Sequence, residues 1–257
     1  MRTKELVVAK DAYEKGLAKA DDQGLHEKLQ HKLGWILFKQ GKYAEAIPIF
    51  EAQVQKHSSG VLLGPGLFLT AESLYRQNTF DKSFPLFEKV ISLNVPNNRV
   101  QALYRAGDVA GKLNNWPVSQ KYFTQLVSEF PKFNLIDDAR YGIGVALERQ
   151  NKKTEARAAY SLLKEGNSEA SAKAWFMLGE MAFNEKKYEE AVEHFLYITV
   201  NYGYKEWKAL AYFEAGRCFG ELDKKEEAVK ALSTFVKQFP DHEKVKNAAE
   251  LIAKFKT

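Results

Sequence analysis

Small residues recur along this chain at Gly34, Ala71, Gly107, Gly144, Gly179 and Gly216, spaced 37, 36, 37, 35 and 37 residues apart. A near-constant interval of this size constrains the fold more than any local propensity, because it marks stacked copies of one supersecondary unit. Other columns keep the same register. Twelve residues downstream stand Ala46, Ser83, Ser119, Ala156, Ala191 and Ala228, all small. Sixteen downstream stand Phe50, Phe87, Phe123, Tyr160, Phe195 and Leu232, all large and apolar. Leu33, Thr70, Ala106, Ile143, Leu178 and Ala215 precede the small column by one residue. Leu37, Leu74, Ala110, Leu147, Ala182 and Phe219 follow it by three. That spacing is one face of a helix.

Between the two apolar stretches of each unit lies a short polar tract, such as Gln40-Gly41-Lys42, Arg76-Gln77-Asn78 or Gln150-Asn151-Lys152. Each reads as a tight helix-to-helix turn, and breakers such as Ser58-Ser59-Gly60, Pro96, Pro131, Gly203 and Pro240 close the units. Two antiparallel helices per unit follow. A small residue facing another lets the axes approach, and the large residue sixteen further on fills the remaining space. No strand pattern competes. The expected class is all-α, a solenoid of antiparallel helix pairs.

Composition excludes several alternatives. No apolar run approaches the ~18 residues of a bilayer span, and one cysteine, Cys218, supports neither an internal disulfide nor a multi-thiolate metal site. The 38 Lys and Arg against 33 Asp and Glu are interspersed, so no nucleic-acid footprint is expected.

Leu33-Gly34…Ala46…Phe50 and Trp175…Leu178-Gly179…Ala191…Phe195 resemble the tetratricopeptide repeat family. The match runs over residues 27–240 as six repeats, with Ala71, Ser83 and Ser119 departing from the usual Gly and Ala. The resemblance implies a single right-handed superhelical solenoid over residues 1–257 that binds proteins without catalysis. The long repeats, and closings such as Glu129-Phe130-Pro131 and Gln238-Phe239-Pro240, look like the bacterial cell-envelope branch, of the Tol-Pal and outer-membrane assembly type. A periplasmic or envelope-associated scaffold is therefore expected, with a cytoplasmic adaptor as the alternative.

The ends read separately. Val245, Ala248, Leu251, Ile252 and Phe255 fall at helical spacing, with Glu243, Lys246, Asn247, Glu250 and Lys254 opposite them, so residues 241–257 are expected to cap the array. Residues 1–24 place Leu6, Ala9 and Tyr13 where a second helix has its apolar face. The chain then opens on half a repeat, without a signal peptide, and is expected to be a piece of a longer array able to self-associate there.

Chemistry is sparse. His26, His31, His57, His194 and His242 show no metal-ligand spacing, and no nucleophile is paired with a base, so neither a metal, a cofactor nor an active site is expected. Gly142-Ile143-Gly144 lies within a helix rather than a phosphate loop. Cys218 occupies a column otherwise filled by Ile36, Ser73, Val109, Ala146 and Met181, and reads as a small buried hydrophobe. Pro48 and Pro85 are expected in the first turns of second helices.

The remaining feature is a stripe on the first helices. Three residues before the small column stand His31, Phe68, Tyr104, Tyr141, Phe176 and Phe213. One after it stand Trp35 and, in the last repeat, Arg217. Four after it stand Phe38, Tyr75 and Phe183, and five after it Lys39, Arg76, Lys112 and Arg149, giving way to Asn184 and Glu221. The resemblance implies that this stripe lines a concave peptide groove. Flat rings flanked by long cations suit a protein or peptide segment of acidic character. The competing reading makes about half of the ladder scaffold, since such aromatics also pack between neighbouring helices. The family's carboxylate clamp is not expected, because His31 and Trp35, then Tyr104 and Asp108, stand where it needs Lys, Asn and Arg.

Overall fold

The computed structural model describes residues 3–256, excluding the side chains of residues 3–9, Pro96 and Asn97. The described residues hold helices and no strand. A leading helix, α1 (Thr3–Leu17), precedes six pairs. These are α2 (Gln23–Lys39) with α3 (Tyr43–Lys56), α4 (Leu63–Arg76) with α5 (Phe80–Ser92), and α6 (Pro96–Lys112) with α7 (Trp116–Glu129). They continue with α8 (Ile136–Arg149) and α9 (Lys153–Ser161), α10 (Glu169–Asn184) and α11 (Tyr188–Asn201), and α12 (Lys205–Glu221) and α13 (Lys225–Gln238). A last helix, α14 (Val245–Lys256), closes the chain.

The six turns share one mechanism. Gly41, Asn78, Asn114, Asn151, Lys186 and Asp223 each lie seven residues after the small column, and each has φ between 57° and 74°. The following residue donates its N–H to the carbonyl five residues back, as Lys42 to Leu37, Thr79 to Leu74 and Asn115 to Ala110, at 2.8–2.9 Å. This left-handed closure satisfies the last carbonyls of each first helix and reverses the chain within three residues. Pro48 and Pro85 fall at the sixth residue of α3 and α5, past the first turn where the sequence placed them. Each therefore removes an internal helix hydrogen bond, which packing on both sides offsets.

Packing within each pair follows the small-to-large columns. Phe50, Phe87, Tyr160, Phe195 and Leu232 are fully buried, as are Ala46, Ser83, Ala156, Ala191 and Ala228. A methyl group placed on Gly34, Gly107, Gly144, Gly179 or Gly216 would stand 2.4–2.8 Å from the facing Phe50, Phe123, Tyr160, Phe195 or Leu232. In the third pair the Ser119 hydroxyl donates to the Gly107 carbonyl at 2.8 Å, so the departure from Ala adds a bond without opening the contact. Cys218 is fully buried, and burial pushes its thiol up to about 12.

The chain forms two compact units, residues 1–133 and 134–257. In the first, each helix from α1 to α7 packs on the next; in the second, the same holds from α8 to α14. First helices of successive repeats also touch, α2 with α4 and α4 with α6, then α8 with α10 and α10 with α12. They form the inner face of each unit, and the second helices form its outer face. At the end of the second unit Ala248 is fully buried, while Lys246, Asn247, Glu250 and Lys254 face solvent. At the front α1 packs on α2, with Tyr13 half-buried; the side chains of Leu6 and Ala9 lie outside the described residues.

Replacing Gly179 by Ala should destabilise the chain by about 1 kcal/mol. The overpacking cost of roughly 1–3 kcal/mol exceeds the ~1 kcal/mol gained in helix propensity. Gly203→Ala, with nothing within 4 Å of the added methyl, should leave the urea midpoint unchanged.

Candidate functional site

Every residue of the sequence-derived stripe lies on a first helix, hence on the inner face of its unit. The ladder is not a free surface. Each of its members packs on a large ring of its own pair: His31 on Phe50, Phe68 on Phe87, Tyr104 on Phe123, Tyr141 on Tyr160 and Phe176 on Phe195, with centroids 5.2–5.8 Å apart. Phe213 is buried against Phe235; the other five are half-buried and present one edge to the inner face. Burial, with Glu148 adding to it, pushes the Tyr141 phenol up to about 12.

A second aromatic column, which the sequence reading passed over, closes three of the six turns. Phe38 meets Tyr43, Tyr75 meets Phe80 and Phe183 meets Tyr188 edge-on at 5.3–5.6 Å. Tyr43, Phe80, Trp116 and Tyr188 stand nine residues after the small column, so the same period carried the signal.

Charges on the inner face of the first unit fall into two groups. Around α4 and α6, buried Glu72 receives a bidentate pair from Arg105 at 2.7 and 2.8 Å and a third bond from Arg76 at 3.0 Å. The Arg105 guanidinium lies 4.4 Å from the centre of the Tyr75 ring, and Tyr75 donates its phenol to Asp108 at 2.7 Å. Burial, then that bond to Asp108, pushes Tyr75 up to about 12. Lys112 stands 4.0 Å from Asp108. Arg76 and Lys112 are therefore tied to carboxylates of their own chain. Around α2 the arrangement differs: Lys32 and Lys39 hold their ammonium groups 5.8 and 5.3 Å from the half-buried Trp35 ring and have no acidic partner among the described residues. The first unit carries 18 Lys and Arg against 13 Asp and Glu.

The second unit balances 20 against 20. Its inner face carries Glu148, Glu180 and buried Glu214. Glu148 accepts the Tyr160 phenol at 2.9 Å. Glu214 pairs with Arg217, and with Lys244 at 3.7 Å. Burial, with Glu214 next, raises the Glu180 carboxyl above its usual range. Arg217 lies 4.7 Å from the Phe183 ring and Lys244 4.8 Å from Phe213, beside an open pocket of about 460 Å³. Arg149 is exposed at the end of α8. No group of three metal-ligating side chains occurs among the described residues.

Comparison with known sequences bears on what this face is. The tetratricopeptide repeat profile matches residues 31–97, 104–170 and 161–206, and a second profile of the same description matches 210–242. The chain belongs to the tetratricopeptide repeat family. A tetratricopeptide repeat solenoid is a protein–protein interaction scaffold, and the inner-face helices are where this one presents its rings and charges. A tetratricopeptide repeat protein from Parabacteroides merdae is similar in structure, with 17% identity and a TM-score of 0.59 over 98% of this chain and 93% of that one. PilW, a type IV pilus biogenesis factor, is 15% identical with a TM-score of 0.62 over 87% and 98%. YrrB, described as having an unusual peptide-binding site, is 20% identical with a TM-score of 0.56 over 78% and 97%. These identities speak to the fold alone. No curated protein matches the sequence.

Replacing Arg105 by Met should destabilise the first unit by about 3 kcal/mol, since it leaves the buried Glu72 carboxylate short of its bidentate partner. Pairing it with Glu72→Gln should recover most of the loss in urea denaturation followed by circular dichroism.

Proposed function

We propose that the protein is a non-catalytic adaptor that receives an acidic segment of a partner protein on the inner face of residues 1–133, with Trp35 as its anchor. One observation carries this reading: Lys32 and Lys39 flank a half-buried Trp ring and have no acidic partner among the described residues, unlike Arg76 and Lys112. An indole is a large, rigid contact with little rotamer entropy to lose, and unpaired ammonium groups beside it steer acidic chains and speed their association. Phe38, Phe68, Tyr75 and Tyr104 extend the contact along α2, α4 and α6. Tyr141, Phe176, Phe183, Phe213, Arg149 and Arg217 offer the corresponding face of the second unit, where Glu148 and Glu180 make the surface of mixed sign.

The cellular setting we propose is the assembly or maintenance of a bacterial envelope. Its support is the long repeats and the Phe-Pro closings, together with a shared fold with a pilus biogenesis factor. Fractionation of the source cells with an antibody to the protein tests the setting separately.

The binding reading is tested by selecting peptides from a random display library on the whole chain. Enriched sequences should be rich in Asp and Glu, and their labelled peptides should bind with an affinity that falls as salt rises. Trp35→Ala should weaken binding by about 2 kcal/mol, roughly thirtyfold, with an unchanged helical melt. Full affinity in that variant would move the anchor elsewhere.

A further inference from the structure

The far end of the first repeat departs from its own siblings. Gln53 occupies a fully buried column that holds Val90, Leu126, Leu163, Ile198 and Phe235 in the other five repeats. Gln30 stands where Leu67, Leu103 and Trp175 stand, and His57 where Phe130, Tyr202 and Phe239 stand. Glu27, Gln30, Gln53 and His57 are all buried. The layer that is apolar in these columns of the third and fifth repeats is here a polar network. Glu27 accepts the Leu62 N–H at 2.9 Å, Gln53 donates to the Leu62 carbonyl at 3.0 Å, and His31 Nδ1 meets Gln53 Oε1 at 3.0 Å. Gln30 Oε1 is buried and finds no partner among the described residues. Such a layer stabilises less than the Leu and Val it replaces, and its strength depends on every member keeping its role.

At its edge runs a relay with a defined direction. Lys56 Nζ lies 3.0 Å from His26 Nε2, and His26 Nδ1 lies 3.2 Å from His57 Nε2. An ammonium group only donates, so His26 Nε2 accepts; its proton is then on Nδ1, and His57 Nε2 accepts in turn. Both imidazoles must be neutral. A proton added to His26 removes the acceptor of Lys56 and sets two like charges about 3 Å apart, whereas a proton on His57 Nε2 brings two donors face to face.

We propose that this relay is a proton-sensitive joint, which holds α2 against α3 and the α3–α4 connection in neutral solution and comes apart in mildly acidic solution. Among the described residues the surrounding charges do not rescue it. On α2, Glu27 is already engaged by Leu62, Lys28 is exposed, and His31 is bonded to Gln53. On α3, Lys56 itself supplies a positive charge. On α1, Lys10 pairs with Glu14 and Lys15 with Asp11; in the α1–α2 turn Lys19 and Asp21 are exposed and Asp22 caps α2 through Leu25. On α4, Glu72 and Arg76 pair with each other. Burial, then Lys56 and His57, hold His26 below its ordinary 6.5, and burial also lowers His31. A histidine whose folded-state value is depressed contributes stability that is complete above 6.5 and is lost as pH falls below it. The 3.2 Å separation would also suit two nitrogens on one metal ion, but the donation from Lys56 keeps a proton on the His26 nitrogen that would have to bind it.

Long-range ¹H–¹⁵N correlation on the full chain at pH 7.5 tests the relay directly. His26 should be the Nδ1–H tautomer, against the Nε2–H form that a free imidazole side chain favours. Amide exchange, corrected for intrinsic rates, should show α2 and α3 losing protection at pH 5.5 while α6 keeps it. His57→Phe, which introduces the side chain of Phe130 and Phe239, should lessen that loss, since the Lys56–His26 contact alone then remains sensitive to a proton. Should this variant fail to fold, Lys56→Met serves instead and should return His26 to the Nε2–H form. An Nε2–H tautomer at His26 in the parent chain, or equal protection of α2 and α3 at both pH values, would overturn the proposal.

Discussion

The contact between a small residue on each first helix and a large side chain sixteen residues on is what the rest of this molecule depends on. At Gly144 and Gly179 the facing ring lies where a methyl carbon would be, at 2.4 and 2.6 Å, so the helix axes approach more closely than any side chain would allow. That closeness fully buries Tyr160 and Phe195 and brings the alanines twelve residues on into the same layer. Interiors packed at this density tolerate neither a void nor an extra methylene cheaply. The turn seven residues after the small column then has little freedom, and all six turns adopt the same left-handed residue.

With second helices committed to packing, the function we propose falls to the inner face, where the same rings would serve two purposes. His31, Phe68, Tyr104, Tyr141 and Phe176 brace their own pair with one side and line the inner face with an edge. A ladder of this kind presents rings already fixed in place, which lowers the ordering cost of binding. Under the function we propose, selectivity rests with charge. In the first unit, Arg105, Arg76 and Lys112 are paired with Glu72 and Asp108, whereas Lys32 and Lys39 stand beside Trp35 with no acidic partner among the described residues. In the second unit, Glu148, Glu180 and Glu214 interleave with Arg217 and Lys244.

The sequence made the pairing of helices legible because packing repeats with one period and turns obey the same spacing. Gly41, Asn78, Asn114 and Asn151 could be read as turn formers from residue type. Lys186 and Asp223 could be read only from register. The Glu72–Arg105 pair was not legible, since the two residues are 33 positions apart and meet only because α4 and α6 lie side by side. Lys244 was hidden likewise, reaching Glu214 from the segment before α14. The boundary after Phe133 left no mark either: Phe130-Pro131 looks like the Phe239-Pro240 closing elsewhere. Polar residues in the buried columns of the first repeat were visible as letters, but their meaning emerged once Gln53 and His57 were seen in the places of Leu126 and Phe130.

The account's central claim is that the small column and the large column are energetically one unit. A double-mutant cycle on Gly179→Ala and Phe195→Leu, followed by urea denaturation, measures this most directly. The account predicts a double variant more stable than the sum of the single losses allows, because the smaller Leu side chain makes room for the added methyl. Losses that add to within about 0.5 kcal/mol, the range found for independent sites, would contradict it.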